Sequence, residues 1–508
     1  MTTDREAPAA SAPPATLGPR AGAVLVFGSS AAVLVVELVA LRLLAPYLGL
    51  TLETSTLVIG LALTAIAAGS WLGGRAADRV PPRRALGPLL AVSGVAVALT
   101  PMSVRTAAEV GTGSLLLPVA ALSIIVPGAL LSAVTPMVTK LQLTDLHETG
   151  TVVGKLSGIA TAGSIAGTVL TGFVLISTVP VSAILVGLGV VLLLSAVVVD
   201  LRVRGRRAAV APAVVVALAA LGATVAPGGC DVETTYHCAV VQQDPERESG
   251  RVLVLDTLRH SYVDLADPTH LEFAYMQAIA SVVDTAWPED TPLSAYHLGG
   301  GGLTFPRYLA QVRPGTQSLV SEIDPGVVRV DVERLGLDTG PELQVRVEDG
   351  RLGLRALTDD SRDLVVGDAF GGVSVPWHLT TREAVGHVRR VLVDDGVYVA
   401  NLIDNGPLAF ARAELATLGS VFGHVAVAAE SDTFTGGPQA GGNLVAVASD
   451  RPVDLVAAQA AMDERGLGWV VLGGDELRAW VGDAEVLTDD FAPVDQLLTP
   501  YAVAAPSP

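Results

Sequence analysis

Apolar runs of about twenty residues recur through the first 227 positions of the chain. They fall at about 21–45, 53–74, 85–104, 113–138, 156–177, 180–200 and 208–226, seven in all. Runs of that length match the hydrocarbon thickness of a bilayer. Inside a bilayer every backbone polar group needs a partner within its own segment, so each run is expected to be a helix. Half of the 508 residues are hydrophobic and the mean hydropathy is +0.53, which fits a membrane domain joined to at least one other domain. Residues 1–20 are rich in Pro, Ala and Thr and lack periodicity, so a disordered tail is expected there. No cleavable signal peptide is expected, because the first apolar run is itself long enough to span.

Basic residues sort between alternate connections. One side receives Arg5 and Arg20, then Arg75, Arg79, Arg83 and Arg84, then Lys140 and Lys155, then Arg202 to Arg207. The other receives little beyond Arg42 and Arg105. The positive-inside rule makes the N-terminus cytoplasmic, and seven spans then carry the C-terminal part to the outside. Glu37 lies inside the first run, as a functional charge or as a structural partner of Arg42 or of a polar neighbour on another helix. Gly163, Gly167 and Gly172 point to close helix packing in the fifth run.

The chain changes character after the last run. Residues 1–227 carry 14 Lys+Arg and 9 Asp+Glu, whereas residues 228–508 carry 18 and 42 and no lysine. Such an acidic domain repels nucleic acid and attracts cations. The balance fits solubility as well as a cationic substrate. Cys230 and Cys238, the only two cysteines, are spaced so that they can close a small disulfide loop in an oxidising compartment, the alternative being two inert thiols. With His237 alone beside them they make a poor metal site, and no metal is expected.

Residues 228–292 read as a small β region holding the cysteine pair, with strands at Ala239–Val241 and Arg251–Leu255 and a helix at Leu271–Val283. From 293 to 508 strands and helices alternate. Strands are expected at Ala295–Leu298, Ser318–Ile323, Leu343–Val347, Asp363–Val366 and Gly396–Leu402, with helices such as Pro325–Leu335 and Thr381–Leu392 between them. Alternation of this kind gives a doubly wound parallel sheet covered by helices on both faces. The expected architecture is therefore an N-terminal polytopic α-helical membrane domain over 21–227 and a C-terminal α/β domain that binds a nucleoside.

Ligands on such sheets lie at the carboxyl ends of the strands. Four features sit at four successive strand ends. Gly299, Gly300 and Gly301, with Gly302, follow the first strand and let the backbone approach a ligand. Glu322 ends the second, placed to accept hydrogen bonds from ribose hydroxyls. Asp349-Gly350 follows the third, within reach of an adenine amino group, and Asp368 ends the fourth beside the reacting centre. Each acid taken singly also reads as a helix cap. No Gly-x-Ser-x-Gly elbow, His-Glu-x-x-His or phosphate-loop lysine is present, so hydrolase, zinc peptidase and ATPase readings lack support.

From Val232 to Leu402 these residues resemble the polyamine aminopropyltransferases, the spermidine synthase family, which shares its fold with methyltransferases. Glu233-Thr234-Thr235-Tyr236 is similar to the family's Glu-Ser-x-Tyr strand, and Val254 to His260 to its Leu-Asp-Gly-x-x-Gln motif. Phe273-Ala274-Tyr275-Met276-Gln277 falls at its Tyr-His-Glu, and the glycine turn, Glu322-Ile323-Asp324, Glu348 to Arg351 and Asp368 follow in order. The whole chain looks like the membrane-fused, multi-pass members of that family.

The resemblance implies transfer of a propylamine group from decarboxylated S-adenosylmethionine, a co-substrate, to putrescine or a related amine. Spermidine and methylthioadenosine would result, with no tightly bound cofactor. It implies that Asp368 is catalytic and that Tyr275 and Asp368 bind the amine. The donor would be held by Gly299, Gly300, Gly301, Glu322, Asp349, Gly350 and His260. The partners implied are a small diamine, an adenosyl sulfonium donor and the lipid bilayer, without nucleic acid. Homo-oligomerisation is left open. The chain departs from the family pattern at Gly302 and Gly371, where the family carries aspartates, and at His260 and Met276, where it carries glutamine and histidine. Those departures keep two alternatives in view: a catalytically weak polyamine-binding or transport protein, and an S-adenosylmethionine-dependent methyltransferase.

Overall fold

The computed structural model describes residues 17–48, 52–110, 115–143, 149–203, 230–256, 258–372, 374–436 and 440–499. The chain divides into two compact units, Met1–Ala45 with Glu53–Gly229, and Pro46–Leu52 with Cys230–Pro508.

The first unit is helical: α1 Pro19–Leu48, α2 Leu52–Arg79, α3 Pro82–Val110, α4 Leu116–Ser132, α5 Val134–Gln142, α6 Thr149–Leu170 and α7 Val181–Val203. Helix α6 continues through a π turn, Thr171–Leu175, into Ile176–Thr178. Among the described residues six segments are long and apolar enough to cross a membrane, with α4 and α5 joined in one of them. The seventh run, 208–226, lies outside the described residues, as does most of the expected N-terminal tail. Pro19 and Arg20, counted with the expected tail, belong to α1. Proline at a first helical turn gives up an N–H that has no helical partner there.

Helices approach closely where glycines remove side chains. A Cβ on Gly163 would lie 2.3 Å from the Phe27 carbonyl oxygen, and one on Gly167 2.5 Å from that of Ala31, so α6 packs backbone to backbone on α1. Gly94 of α3 and Gly189 of α7 meet in the same way, each facing the other's carbonyl within 2.7 Å. Gly172 does not belong to this set, having open space around its Cβ position.

The second unit opens with β1 Val232–Glu233, β2 Cys238–Gln243, β3 Gly250–Leu255 and β4 Leu258–Asp264, a four-stranded antiparallel sheet in chain order. A disulfide joins Cys230 to Cys238 across its first turn. The remaining strands are β5 Ser294–Leu298, β6 Gln317–Glu322, β7 Leu343–Val347, β8 Arg362–Gly367, β9 Leu392–Asn405, β10 His424–Glu430, β11 Gly441–Ser449 and β12 Trp469–Gly473. The helices are α8 Ala274–Ala286, α9 Thr304–Val312, α10 Pro325–Arg334, α11 Gly350–Ala356, α12 Arg382–Val391, α13 Ala409–Gly419, α14 Ser431–Thr435, α15 Leu455–Glu464, α16 Gly474–Val481 and α17 Val494–Leu497.

One eight-stranded sheet runs β12-β10-β11-β9-β8-β5-β6-β7. Strands β9, β8, β5, β6 and β7 are parallel, as expected from the alternation. The sheet is not parallel throughout: β11 is antiparallel to β9, and β10 is antiparallel to both β11 and β12. The β10–β11 connection, 431–440, holds the short α14 among its described residues. A connection that short reverses the chain, whereas a parallel return needs a dozen or more residues.

Helices cover both faces. Helices α8, α9 and α15 bury one face around Ile279, Phe305, Val366 and Val399, and α12, α13 and α16 bury the other around Val388, Phe410 and Leu477. The small sheet packs Leu253, Leu255 and Val263 against Val327 and Val330 of α10, which brings β2 to β4 beside the carboxyl ends of β5 and β6.

Candidate active site

The sheet places the candidate side chains where strands stop. Gly299 follows β5 with φ +97°, and a Cβ there would strike the Asp368 carbonyl oxygen at 2.3 Å. Only glycine lets the ends of β5 and β8 meet so closely. The Gly300 N–H donates to Glu322 Oε2 at 2.7 Å, and the Asp324 N–H donates to Glu322 Oε1 at 2.8 Å. Glu322 thus binds the glycine turn to the start of α10. Burial raises the pKa of its carboxyl, and the two N–H donors pull the other way. Asp324 caps α10 by accepting the Gly326 N–H at 2.8 Å, with Pro325 in the first turn, as expected.

Asp349 makes two contacts, one of them the helix cap that its sequence position allows. Its Oδ1 caps α11 through the Leu352 N–H at 3.0 Å, and its Oδ2 meets His378 Nε2 at 3.0 Å. Gly350 opens α11 and lies against Leu298 at the end of β5. One cleft gathers Gly299, Gly300, Gly301, Glu322, Asp349, Gly350, Asp368 and His260, together with His237, Phe370 and His378.

A second cleft opens on the other side of Asp368. It is lined by Tyr275, Phe273, Glu272, Arg259, Asn401, Asn443 and Glu430, and it shares Asp368, His260, Gly301 and Phe370 with the first. Two cavities therefore meet at one carboxylate. Tyr275 OH donates to Asp368 Oδ2 at 3.3 Å, and Asn401 Nδ2 donates to Oδ1 at 2.9 Å. Asn443 Nδ2 in turn donates to Asn401 Oδ1 at 2.9 Å, which fixes the orientation of that amide. Burial pushes the Asp368 pKa up to about 6, with the two donors moderating the rise. A carboxylate so poised is a serviceable base near neutral pH. Burial and the neighbouring Asp368 charge raise the Tyr275 hydroxyl well above its ordinary value, so it stays a donor.

His260 sits on β4 with its ring 5.9 Å from that of His237. Burial first, and the neighbouring His237 second, lower its pKa to about 4, so it is neutral at physiological pH. His237 Nδ1 pairs with Asp256 Oδ2 at 2.9 Å.

Over 128 residues the chain is 32% identical to the polyamine aminopropyltransferase of Vibrio vulnificus, and over 142 residues 28% identical to that of Chromobacterium violaceum. These matches cover 25% and 28% of this chain and 42% and 53% of the relatives, so the chain spans about half the length of the curated relatives it matches. A probable spermidine synthase from Corynebacterium glutamicum, known as a crystal structure, is 30% identical over 95% of its own chain and 51% of this one, with a TM-score of 0.48. Over these segments the chain is similar to polyamine aminopropyltransferases. No family model matches it.

The departures from the aminopropyltransferase pattern now have surroundings. Gly302 has φ +75°, and a Cβ there would meet Ser261 Oγ at 2.1 Å. Its N–H is taken by Oδ1 of buried Asp331 at 3.0 Å, so a carboxylate reaches this turn from α10. Gly371 has no atom closer than 3.9 Å to its Cβ position, so space exists there for a side chain. Met276 is buried among the apolar side chains of α8 and faces neither cavity.

Sequence reasoning missed Asn401, Asn443, Asp331 and the His237–Asp256 pair. Asn401 carried a signal, being the one amide in the apolar stretch Val397–Leu402. Asp331 carried a weaker one, as an acid on the face of α10 that also holds Val327 and Val330.

Proposed function

We propose that this chain is a membrane-anchored polyamine aminopropyltransferase. In this reading it moves a propylamine group from decarboxylated S-adenosylmethionine to putrescine or a related amine. The observation that carries the reading is the meeting of two clefts at Asp368. A two-substrate transfer needs a donor cavity and an acceptor cavity that share the point of reaction.

The donor nucleoside lies in the first cleft, its ribose on Glu322 and its adenine beside Asp349 and His378. The acceptor amine enters the second cleft, where Glu272 and Glu430 add negative charge at the rim. The amine nitrogen attacks the propyl carbon bound to the sulfonium. The new C–N bond forms as the C–S bond breaks, and that bonding pair returns to sulfur to give neutral methylthioadenosine. Asp368 takes the proton that the nitrogen loses. The leaving group needs no acid, because sulfur gains the electrons that cancel its charge. The six apolar segments anchor the chain in a bilayer. The disulfide favours an oxidising face for the α/β unit.

The test is product identity. Full-length protein is incubated with decarboxylated S-adenosylmethionine or S-adenosylmethionine and a panel of diamines, and the nucleoside product is read by mass spectrometry. Methylthioadenosine from the decarboxylated donor supports the reading. S-adenosylhomocysteine from the other donor makes the chain a methyltransferase. Neither product, with no nucleoside bound, leaves a transport or sensing role for the helices.

A further inference from the structure

The donor cleft has one wall that is closed covalently. The disulfide joins Cys230 to Cys238, and the segment between them carries Thr234, Tyr236 and His237. This segment is braced internally: the His237 N–H donates to Thr234 Oγ1 at 2.8 Å, and the Thr234 N–H donates to the His237 carbonyl at 2.8 Å. From that turn two contacts reach one carboxylate. Thr234 Oγ1 and the Tyr236 N–H both donate to Asp324 Oδ2. The Asp324 N–H is itself a donor to Glu322 Oε1. The other end of the segment is fixed at Asp256, whose Oδ1 accepts the Cys238 N–H at 2.9 Å while its Oδ2 holds the His237 ring. The loop is therefore tied by side chain and main chain to the acid that ends β6.

We infer that the Cys230–Cys238 disulfide is a positioning element of the donor site, holding His237 at the cleft and, through Thr234 and Asp324, fixing Glu322. Its effect is on nucleoside affinity. An open loop must be ordered each time the nucleoside binds, and that ordering is subtracted from the binding free energy. A closed loop has lost this freedom before the ligand arrives. Neither cysteine lines the second cleft, whose lining comes from β4, the start of α8, the turns after β5 and β8, and strands β9 to β12. The acceptor should not sense it.

The inference rests on the reading of the first cleft as a nucleoside site, and the experiment separates the two. Methylthioadenosine binding to full-length protein is measured by titration calorimetry before and after treatment with dithiothreitol. The reagent breaks the S–S bond, the cysteines take up two electrons and two protons, and the reagent closes to its own cyclic disulfide. The chain has no other cysteine, so reduction touches nothing else. Reduction, or the double change Cys230→Ser with Cys238→Ser, should weaken binding about tenfold. The KM for the donor should rise to match, with kcat and the acceptor KM unchanged. General loosening would move all three. Thr234→Val leaves the disulfide in place and removes one of the two contacts to Asp324, the Tyr236 N–H keeping the other, and it should reproduce part of the weakening. This variant decides the matter if the reduced protein loses its fold. Equal affinity in the oxidised, reduced and Thr234→Val forms overturns the inference and leaves the nucleoside site standing. No binding by the oxidised protein overturns both.

Discussion

Asn401 Nδ2 donates to Asp368 Oδ1 at 2.9 Å from the neighbouring strand, and this bond orients the carboxylate at which the two clefts join. A donor to a carboxylate favours its charged form, so the Asn401 bond holds the Asp368 pKa down against burial. Asn401→Leu removes it and should raise the pKa further. The acid limb of the pH profile of kcat/KM then moves to higher pH, and activity at pH 7 falls about tenfold or more. A profile that keeps its position contradicts the assignment.

The unsubstituted protein should itself show an acid limb. Asp368 must be ionised to take a proton, and its pKa is pushed up to about 6. Activity is therefore present above pH 6 and is lost as the pH falls through that value, tenfold per unit in the limit. His260, with its pKa lowered to about 4, stays neutral across this window and adds no second limb there.

Glu322 has both oxygens on main-chain donors, and each oxygen keeps a second lone-pair direction for a ribose hydroxyl. Wild-type protein should bind methylthioadenosine more tightly than its 2′-deoxy analogue. Glu322→Gln should weaken the parent nucleoside and erase most of that difference. If the variant still discriminates fully, the ribose is held elsewhere.

In the helical unit, Gly163 faces the α1 backbone at 2.3 Å, whereas Gly158 of the same helix has nothing near its Cβ position. Gly163→Leu should lower the melting temperature in detergent, by an amount that reflects about 1–3 kcal/mol or more of overpacking. Gly158→Leu should leave it unchanged. Equal effects would mean that α6 does not pack on α1 through this face.

Much of this was legible in the chain because it is local. The β5–β9 alternation, the Asp324 cap and the acids at strand ends all follow from periodicity and from residues adjacent in sequence. The antiparallel edge was not legible, since the direction of β10 to β12 is set by pairing partners far away in the chain. Asn401 and Asn443 escaped for the same reason. Their role exists only once β8, β9 and β11 lie side by side. Asp331 reaches Gly302 across 29 positions, and no local pattern carries that contact.

The central claim is that Asp368 accepts the proton in an aminopropyl transfer. The most direct test compares wild-type and Asp368→Asn full-length protein given decarboxylated S-adenosylmethionine and putrescine, with methylthioadenosine and spermidine quantified together by mass spectrometry. The account predicts equal amounts of both products from the wild type, and a loss of at least a hundredfold in the variant with methylthioadenosine binding retained. Transfer that continues unchanged in Asp368→Asn, or a wild type that binds the nucleoside and forms neither product, would contradict it.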